Sequence, residues 1–153
     1  MINLNIVCVG NLKDKFYINA QEEYVKRLSK FCTLNIVELV ECTKTADINV
    51  VLKTEAEEVN KHLKGYVVVL DISGKSFTSV EWAKKIESVC VQGSSCITLV
   101  IGGSYGLDDS IKQRANLKLS FSTFTFPHRL MRIILLEQMY RAFCILNNIT
   151  YHK

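Results

Sequence analysis

The stretch Ile97–Gly106, ITLVIGGSYG, is the most informative part of the chain about its fold. Its first five residues are almost all apolar and β-branched, which is typical of a strand buried on both faces of a parallel sheet. Gly102 and Gly103 follow directly, and glycine lets the backbone come close to a ligand. The stretch therefore predicts an α/β domain with a binding loop at the end of a buried strand.

Strand-like runs alternate with helical patterns on both sides of this stretch. The predicted strands are Asn3–Val9, Thr33–Val40, Tyr66–Leu70, Cys96–Ile101 and Leu117–Phe121. The predicted helices are Asp14–Ser29, Asp47–Leu63, Asp108–Ala115, Arg129–Leu146 and a segment that Ser79 precedes and that ends near Val91. Because this alternation is typical of βαβ units, we expect one α/β domain over residues 1–153, with a largely parallel sheet and helices on both faces.

Length and composition indicate an ordinary globular protein. A chain of 153 residues suits one domain, and its start lacks a signal-peptide pattern. No apolar run approaches the roughly 20 residues of a membrane span, so we expect a cytoplasmic protein. The six cysteines form no C-x-x-C pair, and Cys8, Cys90, Cys96 and Cys144 lie in hydrophobic segments. We expect buried thiols in a reducing compartment and no bound metal.

Positive charge is concentrated near the C-terminus. Residues 112–153 carry seven Lys or Arg against one acid, Glu137, whereas residues 1–111 carry 12 Lys or Arg against 14 acids. Such an imbalance beside a site can steer an anionic partner, most commonly RNA or DNA. A solvated basic face without a ligand would have the same composition.

Three loops are expected at the carboxyl ends of the strands, where open parallel sheets bind ligands. They are 71–77, 102–108 and 120–128. The glycine turn does not follow the first strand, as a dinucleotide fingerprint would, and it lacks the Gly-Lys-Ser/Thr of a phosphate loop. It therefore suits a cofactor with an adenine ring and no phosphate chain.

The segment Phe121–Phe126 alternates aromatic and hydroxyl side chains. One interpretation is an edge strand that buries its phenylalanines. The other is one side of the cleft, where the backbone hydrogen-bonds an adenine and the phenyl rings exclude water. The sequence leaves both interpretations open.

The predicted last helix is apolar around nearly its whole circumference. Such a helix needs cover on more than one side, and in so small a domain a second copy of the chain can provide it, so we expect a homodimer. Arginines on this helix need water, an acid or phosphate, and Glu137 and Arg141 are spaced to pair. His128 could accept a proton or cap the turn before the helix. His152, next to the C-terminus, could fray or take part in binding.

Several motifs together resemble the ribosomal RNA large-subunit methyltransferase H family, which consists of small SPOUT-class, or α/β-knot, enzymes. The resemblance covers the whole chain and is weakest between Glu41 and Glu55. The motifs are Val7-Cys8-Val9-Gly10, Ile101-Gly102-Gly103-Ser104-Tyr105-Gly106-Leu107, Thr125-Phe126-Pro127-His128, Glu137-Gln138-Met139-Tyr140-Arg141-Ala142 and Tyr151-His152-Lys153.

The resemblance implies a homodimer that uses S-adenosylmethionine to methylate nitrogen 3 of a pseudouridine in 23S rRNA. It also implies a C-terminal trefoil knot, a rare topology. The cofactor contacts would then be Leu70, Gly102, Phe121, Ser122, Thr123, Phe124, Thr125 and Phe126. Ser104 and Tyr105 lie where the family varies, so they receive no role.

The same resemblance points to candidate catalytic and RNA-binding residues. An imide-type ring nitrogen is largely protonated at neutral pH, so a base or a cation that stabilises the anion helps. The catalytic candidates are His128, Arg141 and His152, and the RNA-binding candidates are Arg129, Arg132, Tyr151 and Lys153. One subunit's tail is expected to complete the site of the other.

Three other functions would require different features of the same residues. A non-catalytic RNA-binding dimer would show salt-sensitive RNA binding without cofactor affinity. A flavodoxin-like module would need a glycine-rich or hydroxyl-rich loop after the first strand, and Gly10–Asp14 contains one glycine. A hydrolase would need a G-x-S-x-G elbow, and the spacing in Gly103–Gly106 does not match it.

Overall fold

Five strands form one parallel sheet in the computed structural model, which describes residues 1–153. The strands are β1 (Ile2–Val9), β2 (Cys32–Leu39), β3 (Tyr66–Ser76), β4 (Cys96–Ile101) and β5 (Leu117–Ser120). Their order is β2-β1-β4-β3-β5, and every neighbouring pair is parallel. The predicted parallel α/β sheet is confirmed.

Five helices cover the two faces of this sheet. They are α1 (Lys15–Leu28), α2 (Ile48–Asn60), α3 (Ser79–Val91), α4 (Asp109–Arg114) and α5 (His128–Leu146). Helices α1, α3 and α5 pack on one face and α2 and α4 on the other, so each face has its own apolar core. Side chains of a strand alternate between faces, and β1 accordingly sends Leu4 and Ile6 into one core and Val7 and Val9 into the other.

Side-chain caps set the starts of three helices. Asp47 accepts a hydrogen bond from the Asn49 N–H, as its predicted capping role requires, and Asp108 accepts one from the Ser110 N–H. Helix α3 begins with a reciprocal capping box between Thr78 and Glu81. Ser79 is therefore the first residue of α3 and not the residue before it. A capping side chain satisfies an N–H that has no partner inside the helix.

Strand β3 is longer than the sequence predicts. Residues 71–77 were expected to be a loop after a strand that ends at Leu70, but the strand continues to Ser76 through an irregularity. Both Leu70 and Lys75 pair with Leu119, so the residues between them bulge out of the sheet. The carboxylate of Asp71 accepts hydrogen bonds from the Ser73 N–H and hydroxyl, which closes this bulge into a tight turn.

The cysteines are six free thiols, and their burial only partly matches the prediction. Cys8 and Cys144 are buried as expected, whereas Cys90 is exposed and Cys96 is half-buried. Burial raises the pKa of Cys8 to about 12. That thiol is accordingly unreactive at neutral pH. None of the helices is long and apolar enough to cross a membrane.

The start of α5 lies at the carboxyl edge of the sheet. Residues 121–127 leave β5 at that edge without regular structure, and α5 then returns across the face that α1 and α3 also cover. The glycine turn after β4 and the bulge of β3 lie on the same edge. Regular elements thus bring all three predicted loops together. The trefoil knot stays a prediction.

We predict that Gly65, immediately before β3, tolerates no side chain. Its φ is +61°, and a Cβ added there would lie 2.1 Å from the carbonyl oxygen of Cys96. Gly65→Ala should lower the free energy of unfolding by about 2 to 4 kcal/mol through left-handed strain plus a backbone clash. Urea unfolding of wild type and variant measures this loss of free energy.

Gly93→Ala is the matched control. Gly93 also has a positive φ, +95°, but nothing lies within 4 Å of its added Cβ. It should therefore show the backbone strain alone, about 1 kcal/mol. Equal losses in the two variants would contradict the close approach of Gly65 to the Cys96 carbonyl oxygen.

Candidate active site

A cleft of about 370 Å³ opens at the carboxyl ends of β3, β4 and β5. Seven of the eight predicted cofactor residues line it: Leu70, Gly102, Phe121, Ser122, Phe124, Thr125 and Phe126. Thr123, the eighth, does not. The cleft also contains His128, the first residue of α5. The structure therefore joins most of the predicted cofactor set and one predicted catalytic residue in one cavity.

The glycine turn forms one side of the cleft. The Gly106 N–H donates to the Gly103 carbonyl at 3.1 Å, so the chain folds back directly after β4. A Cβ on Gly102 would lie 2.5 Å from the Gly106 carbonyl oxygen, and only glycine fits there. The backbone of the turn therefore comes close to the cleft at this position.

The segment Phe121–Phe126 forms the opposite side, and it is not an edge strand. Strand β5 ends at Ser120, and Phe124 is 76% exposed, so the interpretation in which the phenylalanines are buried in a strand is wrong. The Ser122 hydroxyl accepts from the Phe124 N–H at 3.0 Å and holds the local turn. The N–H groups of Thr125 and Phe126 have no partner inside the protein. They are free to hydrogen-bond a ligand in the cleft.

One acid and one base lie at the far end of the cleft. Asp71, in the β3 bulge, and Lys112, on α4, approach to 3.5 Å between carboxylate and ammonium. Burial acts to raise the pKa of Asp71, but the hydrogen bonds from Ser73 and the charge of Lys112 outweigh it and leave that pKa below its usual range. Asp71 is therefore ionised at neutral pH.

His128 presents a neutral imidazole to the cleft. Burial lowers the pKa of His128, as do Arg129 and Arg132, and the nearby Glu41 carboxylate offsets this only in part. The uncharged ring is thus the main form at pH 7. Its Nε2 atom is buried and accepts or donates no hydrogen bond. The side chain does not cap α5, which has Pro127 at its N-cap without a side-chain hydrogen bond, so the capping interpretation is wrong.

Arg141 and His152 are remote from the cleft of their own protomer. Arg141 follows His128 by thirteen residues on α5, which corresponds to about 20 Å along the helix axis. Its guanidinium donates to the Glu137 carboxylate at 2.6 Å, which confirms the predicted pair, and lies 3.1 Å from the Nδ1 of His152. One protomer therefore does not unite the three predicted catalytic residues.

The C-terminal tail is folded onto this end of α5. The Tyr151 hydroxyl donates to Glu137 at 3.1 Å, and its ring packs edge-on against Tyr140. Burial raises the pKa of Tyr151 to about 12, with the nearby Glu137 charge acting in the same direction. The tail is thus anchored by Tyr151 and not frayed, while Lys153 is exposed.

Arg132 does not belong to a surface that could meet RNA. Its side chain is 1% exposed and donates to the Glu38 carboxylate at 2.6 Å and to the Gly10 carbonyl at 3.0 Å. The expected RNA contact by Arg132 is therefore wrong, because a guanidinium in this apolar surrounding takes an acid as its partner. Arg129, half-buried, donates to the Asn11 carbonyl at 3.3 Å.

The sequence missed several residues of the cleft. Asp71 and Lys112 were not singled out, because a salt bridge between a bulge and a short helix leaves no sequence pattern. Met131 lines the cleft as well, and its position three residues after His128 on one helix face could have indicated it. Tyr105, which received no role, is 58% exposed at the rim.

The fold and the cleft define an α/β domain with a candidate ligand cleft at the carboxyl edge of a parallel sheet, between a glycine turn and an irregular backbone segment. Residues 2–152 match a family model described as "Predicted SPOUT methyltransferase". The chain belongs to the SPOUT methyltransferase family.

Curated relatives resemble the chain along its full length. Three of these relatives are named "Ribosomal RNA large subunit methyltransferase H" and come from Leuconostoc mesenteroides, Clostridium botulinum and Fusobacterium nucleatum. They are 45%, 48% and 44% identical to this chain, and each alignment covers 99% of it and 100% of the relative. A solved structure of a probable methylase family protein from Haemophilus influenzae has the same fold, with a TM-score of 0.57 and 15% identity over 99% of this chain and 71% of that one.

Replacing Arg132 tests its structural role. Arg132→Leu removes the partner of Glu38 and of the Gly10 carbonyl, and we expect the free energy of unfolding to fall by about 2 to 4 kcal/mol. Urea unfolding at pH 7 measures the loss. Arg129→Leu, the control on the same helix, should lose less than about 1 kcal/mol because its hydrogen bond is exposed. If Arg132→Leu unfolds at the same urea concentration as wild type, the stabilising role of the buried Arg132–Glu38 pair is contradicted.

Proposed function

We propose that this chain transfers a methyl group from S-adenosylmethionine to nitrogen 3 of a pseudouridine in 23S rRNA, acting as a homodimer in the cytoplasm. One observation supports the proposed binding of S-adenosylmethionine. Thr125 and Phe126, whose backbone N–H groups have no partner inside the protein, line a cleft whose other side is the Gly102 turn. The full-length relatives named for large-subunit rRNA methylation support the substrate.

The residues of the cleft fit S-adenosylmethionine. Leu70, Phe121 and Phe126 offer apolar surface for an adenine ring, and the free backbone groups of 121–126 offer its hydrogen-bond partners. The cleft has no phosphate-binding loop, and this cofactor has no phosphate. When bound, its sulfonium supplies an activated methyl group.

The protein's own contribution is to align the target nitrogen and remove its proton. An imide nitrogen is a poor nucleophile until it loses that proton, so the reaction benefits from a base in the cleft. His128 is the titratable imidazole there, and its lowered pKa keeps a lone pair available at pH 7. The guanidinium of Arg141 suits the stabilisation of the resulting anion, provided that it reaches the site.

A second copy of the chain would bring Arg141 and His152 to the cleft. Arg141 lies about 20 Å from His128 along α5 of its own protomer, and His152 lies beside Arg141. The outer side of that helix carries the half-buried apolar residues Leu130, Ile133 and Ile134, which a partner helix would cover. In such a dimer the tail of one subunit completes the cleft of the other, and Lys153 and Tyr151 lie where RNA enters.

Cofactor binding and product identity test the proposed function. Calorimetry with S-adenosylmethionine should show saturable binding, weakened at least tenfold in Gly102→Ala because the new Cβ would clash with the Gly106 carbonyl. Gly93→Ala, far from the cleft, is the control.

Ribosomes that lack the modification should then gain one methyl group at nitrogen 3 of a pseudouridine, read by mass spectrometry of rRNA digests. A folded protein that binds RNA but no cofactor would instead be the non-catalytic dimer.

Mixed dimers test whether the tail acts across subunits. His152→Ala should lose most methyl transfer while its cofactor affinity stays within about twofold of wild type. Co-expressed Gly102→Ala and His152→Ala chains should then recover activity that neither variant has alone. The reason is that one site of the mixed dimer receives an intact cleft and an intact tail. If the tail served its own protomer, no mixed dimer would contain an intact site, and activity would not recover.

A further inference from the structure

Glu41, in the loop after β2, contacts the glycine turn. Its Oε1 atom accepts from the Ser104 N–H at 3.2 Å and from the Ser104 hydroxyl at 3.1 Å. Ser104 lies sixty-three residues further along the chain, inside the turn that forms one side of the cleft. A single carboxylate oxygen therefore ties the loop after β2 to the loop after β4.

The same oxygen is also the nearest acid to His128. It lies 3.9 Å from the Nε2 atom of that ring, which has no hydrogen-bond partner of its own. Neither Glu41 nor Ser104 lines the cleft, whereas His128 and Gly102 do. Glu41 thus contacts both the turn and the imidazole from behind the ligand-facing surface.

The surroundings hold Glu41 in this place. The Glu55 carboxylate, 7% exposed on α2, accepts from the N–H of the adjacent Cys42 at 3.0 Å and so anchors the loop from inside. Gly103 leaves just enough room, since a Cβ there would lie 3.0 Å from the Glu41 Oε1. The hydrogen bond at Cys42 fixes the base of the loop, and the two hydrogen bonds from Ser104 keep the carboxylate oriented.

We propose that Glu41 is a positioning residue of the cleft: its carboxylate holds the turn 102–106 in the shape that receives the cofactor and places a negative charge beside the His128 ring. It acts through Ser104 and His128 and touches no ligand itself. The proposal rests on the proposed function, because it assigns the reason for the turn's shape to methyl-donor binding. Ser104, given no role by its sequence position, becomes the contact through which Glu41 acts.

A matched pair of substitutions separates the two effects. Glu41→Gln keeps an oxygen that can accept from Ser104 but removes the charge near His128, whereas Glu41→Ala removes both. We expect calorimetry to give a dissociation constant for S-adenosylmethionine within twofold of wild type for Glu41→Gln and about fivefold to tenfold higher for Glu41→Ala, the size of one or two lost hydrogen bonds. Ser104→Ala, which keeps the N–H donor, should fall between them. Glu57→Ala, exposed on α2, is the control.

The second measurement follows the imidazole directly. NMR titration of histidine-labelled protein should give a lower pKa for His128 in Glu41→Gln than in wild type. The charges that face this ring are Glu41, which raises its pKa, and Arg129 and Arg132 on α5, which lower it. A carboxylate that supported only the turn, without a charge interaction with the ring, would leave this titration unchanged in a variant that still folds.

The outcomes are distinct. Wild-type affinity in Glu41→Ala, equal weakening in Glu41→Gln and Glu41→Ala, or an unchanged His128 titration would each overturn the proposal. If Glu41→Ala does not fold, Ser104→Ala and Glu41→Gln decide it. If the wild-type protein itself binds no S-adenosylmethionine, the proposed function fails, whereas wild-type binding with no effect of these substitutions removes the role of Glu41 alone.

Discussion

A buried guanidinium determines where the last helix begins. Arg132 on α5 is almost inaccessible, and an unpaired charge there would cost several kcal/mol. It is paired by Glu38 from β2 and by the carbonyl of Gly10 at the end of β1. Both partners lie at the carboxyl edge of the sheet, so the first turn of α5 must lie there as well. This pairing places His128 in the cleft, since it comes one helical turn earlier.

The cleft follows from the order of the strands around that anchor. Because β5 pairs with β3 at one edge of the sheet, the chain leaves it beside Leu70 and close to the glycine turn after β4. The irregular backbone of 121–126 makes few hydrogen bonds inside the protein, and several of its N–H groups are free. In a helix or strand these N–H groups would be hydrogen-bonded within the protein. The absence of regular structure in this segment is therefore what makes it suited to hydrogen-bond a ligand.

The two ends of α5 hold chemically different groups. A neutral imidazole lies at its N-terminal end, and an ion-paired arginine with a folded aromatic tail lies at the other. Since a helix of nineteen residues spans nearly 30 Å, one protomer cannot bring these groups together. Assembly of two copies across this helix is the simplest geometry in which they would meet, and it agrees with the apolar residues along its outer side.

The sequence by itself determined the elements, the parallel sheet and the loops around the cleft, because apolar period, caps and glycines act over a few neighbouring positions, whereas the individual cofactor residues were implied by the family resemblance. It also determined that the arginines of α5 needed partners. Only the tertiary structure decided which partners these arginines have. Arg132 pairs with the Glu38 carboxylate, which is ninety-four residues away in the sequence and comes near it only in the folded chain. The tertiary structure likewise decided the β3 bulge, the exposure of Phe124 and the contact of Glu41 with Ser104. Each of these depends on which strands become neighbours, and no local pattern carries that information.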